Sequence, residues 1–92
     1  MSFQVVHQPE AQRFEAKVEG QLSVADYELH DKVMHMTHTI VPPALQGRGI
    51  AAALVKEALA YAREHGLKIN PLCSYVRVYM QRHPETQALL AR

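Results

Sequence analysis

The chain has 92 residues and a mass of 10.4 kDa, which excludes two independent cores and any barrel of the ~250-residue class. Apolar residues make up 48% and charged residues 21%, a globular balance that excludes a disordered chain. A net charge of +1 excludes a nucleic-acid partner held by many phosphate contacts, and a single cysteine excludes a disulfide framework or a Cys-rich metal site. No apolar run is long enough for a bilayer and no charged-then-apolar leader opens the chain, so no membrane partner and a cytoplasmic location are expected. A core this thin makes a homodimer or stabilisation by a ligand plausible partners to look for.

The expected elements form one domain over 1–92. Residues 3–7 read as a short first strand, ended by Gln8 and Pro9. Residues 13–19 alternate, with Phe14, Ala16 and Val18 on one face, as a half-buried strand does. Gly20 supplies a tight turn into a third strand over 21–29. There Leu22 and Val24 fall out of phase with Ala25, Tyr27 and Leu29, which predicts a slip or bulge in its middle. Residues 33–41 are apolar on both faces, as in a central strand, and Pro42 and Pro43 stop its ladder because they lack N–H donors. Simple alternation puts His35 and His38 on opposite faces, with His38 beside Met34, Met36 and Ile40, so no metal site is expected.

Beyond the prolines the pattern turns helical. Residues 49–65 carry Ile50, Leu54, Ala58, Tyr61 and Ala62 at helical spacing, and Gly66 suits the residue just past the helix end. A short strand over 67–72 follows. A second helix over 74–83 shows Val76, Tyr79 and Met80 as its apolar stripe; Pro84 breaks it, and a last short helix closes the chain. The order is β-β-β-β-α-β-α, an α+β antiparallel meander whose helical crossover returns a fifth strand parallel to the fourth.

The segment Gln46-Gly47-Arg48-Gly49-Ile50-Ala51 joins the fourth strand to the long helix. The first turn of a helix leaves N–H groups without intrahelical partners, and no Ser, Thr, Asp or Asn stands at the natural cap. Gly47 and Gly49 permit close backbone approach and Arg48 adds charge, a combination suited to phosphate or pyrophosphate. It is neither a Walker A loop nor a dinucleotide fingerprint.

Gln46-x-x-Gly49-x-Ala51 resembles the Gln/Arg-x-x-Gly-x-Gly/Ala motif of the GCN5-related N-acetyltransferases. The stretch from His38 to Ala51, with Pro71-Leu72-Cys73 and Arg82-His83-Pro84-Glu85, is similar to their small, Cys-containing, single-domain branch. The resemblance implies a GNAT-like acyl-CoA N-acyltransferase fold and an acetyl-CoA or CoA ligand. It also implies a reaction that transfers an acetyl group to an amine or protein acceptor of unknown identity. Cofactor contacts fall on Thr39, Ile40 and Val41 at the strand end and on Gln46, Gly47, Arg48, Gly49, Ile50 and Ala51 at the loop. The fourth and fifth strands would splay to admit the pantetheine arm.

Three residues are candidates for chemistry. Cys73 precedes a helix, whose N-terminus favours thiolate, so it is a possible acyl acceptor. His38 lies near the implied slot, and Tyr79 is one place before Met80, where larger members carry a tyrosine that protonates the leaving thiolate. Tyr75 is a second tyrosine within reach. Relatives in the small branch often carry Glu where Ile40 stands, and Ile accepts no proton. Only about five residues, Gln8 to Gln12, join the first two strands, where the family interposes two helices. The alternatives are a non-catalytic CoA- or acyl-CoA-binding module and a protein-interaction domain.

Overall fold

The computed structural model describes residues 3–91. Five strands form one sheet in the order of the chain: β1 (Val5–Gln8), β2 (Arg13–Val18), β3 (Gln21–His30), β4 (Val33–Ile40) and β5 (Lys68–Pro71). β1 to β4 run antiparallel, and β5 returns parallel to β4 after the helix α1 (Ile50–Glu64). A second helix, α2 (Ser74–Arg82), follows β5, with single 3-10 turns at Pro9–Ala11, Pro43–Leu45 and Pro84–Leu89. The α+β meander with a parallel fifth strand is therefore as the sequence predicts. The strand and helix ends shift by a residue or two, as ends fray.

One face of the sheet carries the core. Phe14, Ala16, Val18, Ala25, Tyr27, Met34, Met36 and Ile69 point to the side where α1 buries Ile50, Leu54, Val55, Ala58, Leu59 and Ala62. α2 adds Val76 and Met80 to the same cluster, so both helices lie on one side. The opposite face presents Val6, Leu22 and Ile40, each about half exposed, around Val24. Between β1 and β2 there is only the Pro9–Ala11 turn, too short to cover that face.

The expected slip in the third strand is real in effect but lies on its neighbour. β3 pairs Asp26 with His38 and then Tyr27 with Met36, so Thr37 of β4 is the extra residue. Below the bulge Met34 and Met36 face the core; above it the phase inverts. Ala25, a core residue, stands opposite Thr39, and the outward Asp26 and Val24 stand opposite His38 and Ile40. His38 thus shares the bare face with His35 and not the face of Met34 and Met36, which corrects the simple alternation. Even so, among the described residues no cluster of three or more metal-binding side chains forms.

At the β1 side, aromatic rings fill the core edge. His7 stacks on Phe14 with ring centroids 4.1 Å apart, meets the edge of Tyr61 at 4.4 Å, and lies 2.6 Å from the Tyr27 hydroxyl through Nε2. Nothing in the sequence pattern marked His7, because its partners come from β2, β3 and α1. Burial, then the charge of His65, push the His7 pKa below its usual value. With Nε2 unprotonated, neutral His7 accepts a hydrogen bond there from the Tyr27 hydroxyl. The unfolded chain binds its proton at a higher pH than the folded chain does, so acid favours unfolding. The melting temperature should fall as pH drops from about 6.5 through the lower folded pKa. His7→Phe should flatten that slope in a thermal melt series; an unchanged slope rules the account out.

Candidate functional site

The β4–β5 ladder runs from Val33↔Lys68 to Met36↔Pro71 and goes no further. Pro71 offers no N–H, the Leu72 N–H turns back to Asn70, and the Cys73 N–H makes a last bond to the Met36 carbonyl. Past that point β4 continues through Thr37 to Ile40 without β5 beside it. The strands part at the bulge, and the gap opens into a cavity of about 410 Å3. Its walls are Thr39 and Val41 from the β4 end, Leu45, Gln46, Gly47 and Gly49 from the loop, Ile50, Ala51 and Ala52 from the first turn of α1, and Tyr75 from α2.

The loop is built to leave donors free. Gly49 caps α1 at φ 80°, and no side chain bonds the first-turn N–H groups. The first intrahelical bond runs from the Ala53 N–H to the Gly49 carbonyl, so among the described residues none takes the N–H groups of Ile50, Ala51 and Ala52 at the positive end of the helix dipole. Gly47 sits at φ 82°, and a Cβ on either glycine would meet no protein atom within 4 Å. The glycines therefore serve backbone geometry and open access, not close packing. The Gln46 side chain donates to the Val41 carbonyl at 3.1 Å and ties the loop to the end of β4. The arrangement can hold a di-anionic oxygen cluster on the helix end, with an extended chain entering between the parted strands.

Cys73 caps α2 at the inner end of this gap. Its Sγ lies 3.6 Å from Thr39 Oγ1, across the gap between the strands. Burial pushes the thiol pKa up, but the Thr39 hydroxyl and the backbone N–H groups of Val76, Tyr75 and Thr39 outweigh it, leaving the pKa below the ordinary thiol value. Tyr75, two residues on, lines the same cavity, and burial raises its pKa so that it keeps its proton.

Of the residues singled out in the sequence, Thr39, Val41, Gln46, Gly47, Gly49, Ile50 and Ala51 meet around one cavity, and Cys73 touches it through Thr39. Ile40 does not line it; its side chain is 54% exposed on the bare face. Arg48 points away to Glu19, with Nη1 2.7 Å from Oε2. His38 lies on the bare face, and Tyr79 stacks on His83 at 4.0 Å in a neighbouring groove. That groove, about 600 Å3 between α1 and α2, includes Lys56, Arg63, Arg82, Tyr75 and Tyr79 and meets the cavity at Ala52 and Tyr75. Tyr75 and Lys56 are the residues that sequence spacing underweighted: only the crossing of two helices brings them together. Met80, next to Tyr79, is buried in the core and does not line the cavity.

The sequence profile of the GCN5-related N-acetyl-transferase family matches residues 13–89. The chain belongs to this family. It is 34% identical over 91 residues to Protein NATD1 of Xenopus tropicalis, covering 96% of this chain and 84% of that protein. It is 36% identical over 89 residues to Protein NATD1 of Gallus gallus, covering 94% and 81%. To the human Protein NATD1 it is 35% identical over 88 residues, covering 92% and 78%. The fold is that of the solution structure of a GCN5-like protein from Staphylococcus aureus, with a TM-score of 0.76, 23% identity and coverage of 96% and 87%. For this GNAT member the loop glycines have a measurable cost. Gly49→Ala and Gly66→Ala each place a Cβ at positive φ, so each should lower unfolding free energy by about 1 kcal/mol in denaturant melts. A neutral Gly49→Ala would mean that the loop relaxes out of this geometry. At Cys73, the pH profile of iodoacetamide alkylation should have its midpoint below that of a free thiol, and Thr39→Val should raise it. A midpoint that ignores Thr39→Val would remove the hydroxyl from the account.

Proposed function

We propose that this protein binds acetyl-CoA and transfers its acetyl group to an amine. The observation that carries the reading is the junction of the parted β4 and β5 strands with the uncapped, glycine-flanked N-terminus of α1. In this reading the N–H groups of Ile50, Ala51 and Ala52 bind the pyrophosphate. Backbone groups of β4 from Thr39 to Val41 take the place of the missing β5 ladder and bond the pantetheine amides. A backbone N–H near Val41 stabilises the charge that develops on the thioester oxygen. Lys56 and Arg82, in the groove that joins the cavity, hold the phosphate on the nucleotide end, with Tyr79 against the base.

At the reacting end Tyr75 keeps its proton and is placed to give it to the leaving thiolate. Tyr79, one turn further along α2, serves binding and not proton transfer. Cys73 offers a second acceptor: its thiolate attacks the acetyl carbon, the CoA thiolate leaves and takes a proton, and an amine then attacks the acetyl-cysteine, breaking the C–S bond, so that Cys73 leaves as thiolate and the amine gives up a proton. His38 faces the bare side of the sheet opposite Asp26, the side from which an acceptor would approach, and there it can take the amine proton. An acceptor as large as a protein suits that uncovered face.

A second reading has its own observation. Ile40 stands exposed where small relatives often carry Glu, so a carboxylate base is missing from β4. A protein that only holds an acyl-CoA would need the loop and the gap but no base.

Melting curves and intact mass separate these readings. CoA and acetyl-CoA should each raise the melting temperature, by an amount that grows with ligand concentration. Gly49→Ala should weaken CoA about tenfold by turning the helix-end N–H groups out of line. Lys56→Gln should weaken CoA but not its analogue lacking the 3′-phosphate. No shift at millimolar ligand would end both CoA readings. Acetyl-CoA should also leave one acetyl group on the wild type and none on Cys73→Ala if the covalent route operates. Binding without transfer to Cys73 or to a panel of amines leaves the holder.

A further inference from the structure

The β2–β3 hairpin turns on Glu19 and Gly20, both at positive φ, 52° and 75°. That is the geometry of a type I′ turn, which Asn, Asp and Gly enter most easily. A glutamate there is out of the ordinary. Its side chain reaches the loop at the start of α1, where Oε2 accepts from Arg48 Nη1 at 2.7 Å. Arg48 is the cation flanked by Gly47 and Gly49, beside the N–H groups of the first turn. So a carboxylate from 29 residues earlier in the chain occupies part of the charge that the loop would turn toward a phosphate.

We propose that Glu19 is a built-in competitor for the anion that the loop binds, and that it weakens the hold on CoA so the nucleotide is readily released. The proposal rests on the reading that the loop takes the pyrophosphate of CoA. For Arg48 to turn to the phosphate its ion pair with Glu19 must break, and that costs affinity. The size is modest, because the Arg48 and Glu19 side chains are 37% and 59% exposed and solvent screens the pair.

Calorimetric titration with CoA tests this on the wild type, Glu19→Gln, Glu19→Asn, Arg48→Gln and the Glu19→Gln/Arg48→Gln double variant. Glu19→Gln keeps the side-chain shape, and Glu19→Asn keeps the turn without the charge. Both should bind CoA about two- to fivefold more tightly at low salt, with melting temperatures near that of the wild type. The gain should disappear at high salt and in the Arg48→Gln background. Unchanged or weaker binding in both Glu19 variants overturns the proposal, weaker binding marking Glu19 as a residue that positions Arg48. A gain that persists in the Arg48→Gln background also overturns it. A wild type that does not bind CoA at all overturns the pyrophosphate reading together with this one; a wild type that binds without a Glu19 gain overturns this one alone.

Discussion

Everything distinctive in this structure follows from the place where β4 and β5 stop pairing. The parallel ladder holds from Val33 to Met36 and then fails for local reasons. On one side Pro71 lacks a donor and Leu72 turns its N–H back on Asn70. On the other, Thr37 adds a residue to β4 and twists it away. Residues 37–40 of β4 are left without a β5 ladder on that edge. Backbone groups in such a position need partners. No strand supplies them here, and directly beyond them, among the described residues, the first turn of α1 has no side-chain cap either. The end of the broken ladder and the uncapped helix start thus border one cavity.

The same bulge assigns the side chains around that gap. It turns Thr39 inward, where its hydroxyl meets Cys73, and turns His38 and Ile40 to the opposite face. The cysteine thiol is then governed by donors from both sides of the split, Thr39 from β4 and the N–H groups of Tyr75 and Val76 from α2. The sheet therefore separates two environments: a packed side with the helices and the cavity, and a bare side of Val6, Leu22, Val24 and Ile40 ringed by charged residues. The short Pro9–Ala11 connection is the reason for the asymmetry, since nothing between β1 and β2 is long enough to fold over the sheet.

Much of this was legible in the chain. Alternation in residues 13–19 identified β2, the run from Ile50 to Ala62 identified α1 with its buried face, and the proline pair marked the end of β4. Gln46 to Ala51 marked the loop, because glycines without a capping side chain before a helix have a direct physical meaning. Cys73 was placed at a helix start, where a thiol is acidified. The errors were of another kind. An out-of-phase third strand was visible, but the phase break could be absorbed by either partner of the β3–β4 pair, and β4 absorbs it at Thr37. That choice moved His38 across the sheet. Tyr79 was singled out by its place beside Met80 in the family motif, with Tyr75 also in reach; how α2 leans on α1 is what brings Tyr75 to the cavity.

The sequence by itself determined the elements, their order, the GNAT membership and the loop whose backbone is left to bind, because these depend on local spacing, on the absence of an N–H or a Cβ, and on short motifs. Only the tertiary structure decided which side chains meet. A one-residue bulge inverts every facing beyond it, and the crossing of two helices sets which tyrosine enters the cavity. The Arg48–Glu19 pair, like the ring cluster at His7, joins residues far apart in the chain, and no periodicity in the sequence encodes such a meeting.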